Sequence, residues 1–166
     1  MILGLLSDTH GALKRSEKAL QLLRDAGAEH LIHCGDLGSE DILTLLFEQQ
    51  ENGLPVTAVP GNVDDWDPNL ILYGKKIGIP LPRLQRLNLD GLQIAVHHGH
   101  DAGLMHTLRA DADVDVLFTG HTHVAKDEKV GSVRVINPGA VYRANPPGVS
   151  VFHTQTDTLT FLPLPL

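Results

Sequence analysis

Five short apolar segments of the chain each run directly into residues of the kinds that bind metal ions. The first two are residues 2–6, before Ser7-Asp8-Thr9-His10, and residues 31–32, before His33-Cys34-Gly35-Asp36. The others are 56–59 before Pro60-Gly61-Asn62-Val63-Asp64, 94–96 before His97-His98-Gly99-His100, and 114–118 before Thr119-Gly120-His121-Thr122-His123. Short apolar runs are typical of buried strands, and ligands bind outside the carboxyl ends of strands in open α/β sheets. The pattern therefore predicts one metal site assembled from the whole length of a strand-rich chain.

The first third of the chain alternates between strand and helix patterns. Strands are predicted at 2–6, 30–34 and 55–59, with helices at 13–26, ending at Gly27, and at 39–50, capped by Ser39. This β-α-β-α-β order implies a parallel sheet with right-handed crossovers.

The rest of the chain has mainly antiparallel signals. Segments 84–89 and 92–97 flank Asp90-Gly91, a dipeptide that suits the type I′ turn of a hairpin. A short helix is predicted at 104–110, followed by strands at 114–118, 133–136, 149–153 and 159–162. The fold class expected is α/β, with two packed mixed β-sheets flanked by helices (a four-layer αββα sandwich), in one domain spanning 1–166. Residues 65–82 are predicted to be a loop that lies over the site or at a subunit contact, which leaves a homo-oligomer open.

Composition excludes several classes of protein. The net charge is −7 without a long basic run, so stable nucleic-acid binding is not expected. No apolar run approaches the ~20 residues of a membrane span, and the first residues lack the basic start of a signal peptide. The single cysteine excludes an intramolecular disulfide and fits a reducing compartment. We therefore expect a cytoplasmic protein with no membrane partner.

The candidate ligands arrive in pairs and singly. Residues two apart in extended backbone point the same way, which applies to Asp8 with His10 and to His121 with His123. Seven side chains are too many for one tetrahedral ion and suit two ions that share a carboxylate. The seven candidates are Asp8, His10, Asp36, Asn62, His98, His121 and His123.

Each motif alone has an ordinary structural interpretation. Gly-Asp and Gly-Asn are common turn dipeptides, and Asp-Thr-His suits an Asx turn. Their joint occurrence in this order, each after a strand, favours the metal site. Among the neighbours, His97 should face away from His98, His33 is interpreted as structural, and Cys34 as a small buried hydrophobe rather than a nucleophile.

The motif string resembles that of the calcineurin-like metallophosphoesterase superfamily. The string consists of Asp8-x-His10, Gly35-Asp36, Gly61-Asn62-x-Asp64, His98-Gly99 and Gly120-His121-x-His123. The compact length and Asn137-Pro138-Gly139 resemble its small single-domain bacterial and archaeal phosphodiesterases, over residues 2 to 143.

The resemblance implies a two-metal phosphodiester hydrolase acting on a small phosphodiester, with weak phosphomonoesterase activity left open. One ion would be held by Asp8, His10, Asp36 and His123, and the other by Asp36, Asn62, His98 and His121. Asp36 would bridge the ions together with a hydroxide that attacks phosphorus in line, so Asp36, His98 and Asn62 are the catalytic residues. Imidazole with oxygen donors suits first-row ions, with Mn²⁺ expected first and Fe²⁺, Ni²⁺, Co²⁺ or Zn²⁺ as alternatives.

One departure leaves the general acid open. The superfamily's third motif usually reads Gly-Asn-His, whereas position 63 is Val. Asp64, normally the partner of that histidine, is then expected either to support the ligand residues or to be structural.

His100 and Arg143 are the candidate substrate-binding residues.

Two other functions are less consistent with the sequence. A catalytically weak interaction scaffold with this fold, like the retromer subunit, would have no reason to retain all seven ligands. A metallo-β-lactamase-type hydrolase would need a His-x-His-x-Asp-His run, which residues 121–126 lack.

Overall fold

Ten strands form two five-stranded sheets in the computed structural model, which describes residues 1–165. In chain order the strands are β1 Ile2–Leu6, β2 His30–His33, β3 Val56–Ala58, β4 Gln85–Leu89, β5 Leu92–Val96, β6 Val116–Phe118, β7 Lys126–Val130, β8 Val133–Asn137, β9 Gly148–His153 and β10 Thr158–Pro163. The helices are α1 Leu13–Asp25, α2 Glu40–Glu51, α3 Pro68–Lys76 and α4 Ala102–Arg109, with a 3₁₀ turn at Asp64–Trp66.

The sheets are mixed, as the sequence predicted. The first has the order β10-β9-β1-β2-β3 and the second β4-β5-β6-β8-β7. Strands β1, β2 and β3 are parallel to one another, and so are β5, β6 and β8. The predicted hairpin is β4–β5, where Asp90 and Gly91 have φ of 52° and 84°, as a type I′ turn requires.

The core lies in three layers, set by the alternation of side chains along each strand. Leu3 and Leu5 of β1 face the second sheet, while Leu6 packs towards the helices. In β6, Phe118 faces the first sheet, where its ring meets Phe152 edge-on with centroids 5.7 Å apart. A third cluster joins the far side of the second sheet to α4. The expected α/β sandwich of two mixed sheets flanked by helices is confirmed.

The prediction of a loop over 65–82 is wrong in its centre, which is the helix α3. Asp67 caps this helix, because its carboxylate accepts hydrogen bonds from the N–H groups of Asn69 and Leu70, and Pro68 occupies the first turn. Leu70 is buried in the core beneath α2. The Asp-Pro pair was the helix-start signal, and the surrounding charges and glycines concealed it.

Strand β7 was also not predicted. It is a charged edge strand, Lys-Asp-Glu-Lys-Val, whose residues are exposed or half-buried. Edge strands often carry charges that prevent pairing with other chains, so they lack the apolar alternation used to recognise strands. Among the described helices, none is both long and apolar enough to cross a membrane.

Candidate metal centre

All seven predicted ligands lie on loops that leave the carboxyl ends of five parallel strands. These loops follow β1, β2 and β3 of the first sheet and β5 and β6 of the second. The two sheets pack face to face, so these strand ends meet at one edge of the sandwich. The site therefore lies where parallel α/β sheets commonly bind ligands.

One group of three ligand atoms comes from Asp8, His10 and His123. The Nε2 atoms of the two histidines are 3.2 Å apart, and Asp8 Oδ1 lies 3.1 Å from His123 Nε2 and 3.9 Å from His10 Nε2. Ligands bonded at ~2.0–2.2 Å to one ion are separated by ~3–3.5 Å. The group is therefore spaced closely enough to hold one divalent ion.

A second group consists of Asp8, Asp36 and His98. His98 Nε2 lies 3.4 Å from Asp36 Oδ1 and 3.9 Å from Asp8 Oδ1. The other oxygen of Asp36, Oδ2, lies 3.7 Å from His10 Nε2, a member of the first group. The two oxygens of Asp36 thus face histidines of different groups, which is the arrangement that a bridging carboxylate needs.

Asn62 and His121 lie beside the second group. Asn62 Oδ1 is 3.0 Å from His121 Nδ1, and the His121 ring is 5.3 Å from the His98 ring. The structure brings these two residues together at the solvent side of His98, and His121 is not a member of either compact group.

Hydrogen bonds to backbone carbonyls orient two of the histidines. His98 Nδ1 donates to the carbonyl of Cys34 at 2.8 Å, and His123 Nδ1 donates to the carbonyl of Arg143 at 3.2 Å. A carbonyl accepts only, so each Nδ1 carries a proton, and a ring in its neutral form presents the lone pair of Nε2 to the site. Metal-binding histidines are commonly oriented in this way.

Buried atoms without partners support the assignment to metal. Within residues 1–165, Asp8 Oδ1 and His98 Nε2 are buried and lack a hydrogen-bond partner. Leaving a buried acceptor unsatisfied costs about 1–3 kcal/mol. Both atoms belong to the groups described above, so a bound cation would satisfy them.

The backbone at the site is unusual. Five of the seven candidates have positive φ, between 46° and 69°. Outside glycine this left-handed conformation is uncommon, although Asp, Asn and His tolerate it best, and strained residues cluster at functional sites. The five are Asp8, His10, Asp36, His121 and His123.

Two glycines allow the loops to approach closely. A Cβ on Gly61 would overlap the carboxylate of Asp36, and a Cβ on Gly120 would overlap Ser7 Oγ and lie 2.9 Å from Asp8 Oδ2. The glycines of the Gly-Asn and Gly-His motifs are therefore needed for packing against the two carboxylates.

The charges of the site shift the pKa values of Asp36 and His98. Burial would raise the pKa of Asp36, but the close contact with His98, the hydrogen bond from the Val63 N–H and the charges of His98 and His10 lower it to about 2. Burial lowers the pKa of His98, but its contact with Asp36 and the charge of Asp8 outweigh this and raise it. Asp36 is therefore ionised, and the site attracts positive charge.

The neighbouring residues have the structural roles that the sequence predicted. Cys34 is fully buried, and burial raises the pKa of its thiol, which keeps it protonated. His33 is fully buried, its Nδ1 accepts from the Gly35 N–H, and burial lowers its pKa to about 3. His97 is buried, and its Nδ1 accepts from the Gly99 N–H.

Asp64 ties the loops after β2 and β3 together. Its carboxylate accepts hydrogen bonds from the N–H groups of Leu37, Gly38 and Gly61 at 2.8–2.9 Å. These groups flank Asp36 and Asn62, so Asp64 fixes the backbone that presents two candidate ligands. It is buried, and the expectation of a structural role is confirmed.

We expect Asp64→Ala to lower the free energy of unfolding of the metal-free protein by about 3 kcal/mol or more, because it leaves buried N–H groups unsatisfied at about 1–3 kcal/mol each. Urea unfolding followed by circular dichroism is the measurement. Asp113→Ala, at an exposed aspartate, is the control and should change stability by less than about 0.5 kcal/mol. Equal effects of the two changes would contradict the role given to Asp64.

The two predicted substrate residues lie on opposite sides of the centre. The His100 ring is 5.5 Å from the His98 ring, and its Nε2 lies 3.2 Å from Asp65 Oδ2. The exposed Arg143 is 5.5 Å from the Tyr142 ring, beside His10 and His123. The sequence did not identify Asp65 and Tyr142 as neighbours of the site, because neither belongs to a recognised motif.

Comparison with known proteins identifies the class. The family model of the calcineurin-like phosphoesterase superfamily domain matches residues 1–157. A phosphodiesterase of Methanocaldococcus jannaschii is 30% identical over 159 residues, which cover 93% of this chain and 94% of that one. The phosphodiesterase YfcE of Escherichia coli is 32% identical over 145 residues, covering 81% and 76%. This chain belongs to the calcineurin-like phosphoesterase superfamily and is a metal-dependent phosphoesterase.

Solved structures share the fold. A structure described as an archaeal phosphodiesterase superposes with a TM-score of 0.85 at 28% identity, covering 99% of this chain and all of that one. Wild-type Vps29 of Entamoeba histolytica, complexed with Zn²⁺, gives a TM-score of 0.67 at 19% identity, covering 97% and 90%. The latter likeness shows the fold alone.

Proposed function

We propose that this protein is a phosphodiesterase that works with two divalent transition-metal ions. The observation that carries the proposal is the position of Asp36, whose two oxygens face His98 and His10 at 3.4 and 3.7 Å. The unpartnered Asp8 Oδ1 and His98 Nε2 add support. The relatives of about 30% identity that are named phosphodiesterases favour a phosphodiester over other phosphoesters.

The seven candidates divide between two ions. Asp8, His10, Asp36 and His123 would hold one ion, and Asp36, Asn62, His98 and His121 the other. When bound, two such ions lower the pKa of water and stabilise both the attacking and the leaving oxygen of an in-line displacement. Asp36 keeps two cations close together by its charge, while His98 and Asn62 position the second ion beside the substrate.

The charge of the site suits the substrate. Two divalent ions against the carboxylates of Asp8 and Asp36 leave the centre net positive, although the chain carries −7 overall. A small phosphodiester anion is then drawn to the centre by local charge. Mn²⁺ is our first choice of metal, because hard carboxylate and amide oxygens accompany the imidazoles, with Fe²⁺, Co²⁺, Ni²⁺ and Zn²⁺ as alternatives.

The scaffold function is the second candidate. Vps29 structures share the fold, and a fold can carry different functions. The grouped ligand atoms and the positive φ of five candidates favour catalysis, because a scaffold gains nothing from strained and unpartnered side chains.

Metal stoichiometry tests the proposal. We expect metal-free protein titrated with Mn²⁺ to bind two ions per chain, one of them weakly enough to be lost on desalting. Calorimetric titration gives the number of ions bound per chain, and elemental analysis after desalting gives the number retained. Activity towards a panel of diesters and monoesters should rise as the second ion binds. A plateau at one ion, without a weaker site at higher Mn²⁺, would contradict the two-metal proposal.

A further inference from the structure

A cleft adjoins the metal centre on the side of Asn62. It has a volume of about 260 Å³ and is lined by Asn62, Asp65, Trp66, Arg83 and His100. Asn62 is a candidate ligand of the second ion, so the cleft opens directly from the place where a phosphoryl group would be held. A substrate bound at the centre would extend one of its ester arms into this cleft.

Trp66 is the most exposed large apolar side chain around the site. It ends the 3₁₀ turn Asp64–Trp66, and 88% of its surface is exposed. Tryptophan is a large apolar group with a flat face, and it is enriched where proteins bind partners or ligands. In this position it contributes little to the core and is available to a ligand in the cleft.

The cleft is also lined by two planar groups, the Arg83 guanidinium and the His100 ring, which contact one carboxylate. Asp65 Oδ2 accepts from the Arg83 guanidinium at 3.1 Å and lies 3.2 Å from His100 Nε2. The His100 ring is also stacked on the buried His97 ring, with centroids 5.4 Å apart and planes at 26°. His100 is thus fixed by a neighbour on either side, and it faces the cleft as a flat surface.

We propose that this cleft binds a flat aromatic ring on one ester arm of the substrate, by stacking on Trp66. The preferred substrates are then phosphodiesters with a nucleobase or aryl arm, rather than diesters of small aliphatic alcohols. This inference rests on the proposed function, because Asn62 places the cleft beside the phosphoryl group. Stacking of a base on an aromatic side chain corresponds to about a 5- to 100-fold change in affinity.

Trp66 provides a direct test of binding, because it is the chain's only tryptophan. The Mn²⁺-loaded protein is titrated with adenosine monophosphate, phenyl phosphate and ribose 5-phosphate, and indole fluorescence is recorded. We expect saturable quenching by the two ligands that carry an aromatic ring. We expect none by ribose 5-phosphate, which binds only through its phosphate and sugar. The ratio of the first two affinities tells a nucleobase site from a general aryl site. Equal quenching by all three ligands, or none by any, would overturn the proposal.

Kinetics give an independent test. Trp66→Ala should raise KM for a diester with an aromatic arm by about 5- to 100-fold while kcat stays within about 3-fold. Trp66→Phe should restore most of the affinity, and neither change should affect a dialkyl diester. Leu72→Ala, at an exposed apolar residue of α3 outside the cleft, is the matched control and should behave as wild type.

The outcomes separate this inference from the proposed function. If diesters are hydrolysed but Trp66→Ala raises KM equally for aromatic and aliphatic substrates, the cleft assignment is wrong and the phosphodiesterase stands. If no diester is hydrolysed with any metal while ring-bearing phosphates still quench Trp66, the proposed function is wrong and the ring site stands. A dimer that dissociates in Trp66→Ala, together with the absence of quenching, would instead make Trp66 a subunit contact.

Discussion

Asp36→Asn is expected to lower phosphodiesterase activity by about 10³-fold or more, because metal-assisted acidification of water and charge stabilisation both depend on the ion pair. The change preserves the shape of the side chain, and an amide can keep the hydrogen bond that Asp36 Oδ1 accepts from the Val63 N–H at 3.0 Å. What it removes is the negative charge of the carboxylate whose two oxygens face His98 of the second group and His10 of the first. We expect the number of Mn²⁺ ions bound per chain to fall from two to one.

The control for this experiment is Asp113→Asn, the same chemical change at an exposed residue of the loop before β6. This loop lies at the amino end of β6, whereas the metal centre lies beyond its carboxyl end. Activity and metal content should both remain at the wild-type level. If Asp36→Asn retained wild-type activity with two bound ions, Asp36 would not be the bridging residue.

The second large effect concerns the leaving group. Val63 stands where the superfamily usually has a histidine, and general acid catalysis contributes roughly 10²–10⁴-fold. Across a series of substituted aryl diesters, we expect rates to fall steeply as the pKa of the leaving phenol rises, over a range of that order. Every member of the series carries one aromatic ring, so stacking in the Trp66 cleft stays nearly constant and the slope reports on proton transfer.

The structure modifies what Val63→His can achieve. Asp64 was the expected partner for a histidine at this position, but both of its oxygens already accept backbone N–H groups. The introduced histidine would therefore lack an orienting carboxylate. We expect it to raise the rates of poor leaving groups only modestly, by about 10-fold, which is below the usual range for a positioned acid.

His100 is the alternative proton donor, because it lies beside His98 and contacts Asp65. The measurement is the plot of log kcat against leaving-group pKa for wild type, Val63→His and His100→Gln. A steep wild-type slope that His100→Gln leaves unchanged is the expected result. A shallow wild-type slope that becomes steep in His100→Gln would contradict it and assign the proton to His100.

The sequence by itself predicted two mixed sheets, their strands other than β7, and the identity of the candidate ligands. Buried strands such as β1 carry continuous apolar runs, and neighbouring parallel strands end at the same side of a sheet, so Asp8 after β1 and Asp36 after β2 could be placed at one edge of the sandwich before their contacts were known. The structure places all seven candidates at that edge, and their roles as ligands remain a prediction. Helix α3 was not predicted, because its sequence signal was the N-cap residue Asp67 rather than an apolar stripe.

Only the tertiary structure decided how loop side chains pair. The tautomer of His98 depends on the carbonyl of Cys34, 64 residues away, and His100 meets Asp65 across 35 residues. Strand periodicity states which side of a sheet a residue faces, because successive side chains alternate. It states nothing about loops, where the backbone follows no period and each contact depends on how two separate loops pack. The residue types at this site could therefore be predicted from the sequence, whereas the cleft around Trp66 could be identified only in the tertiary structure.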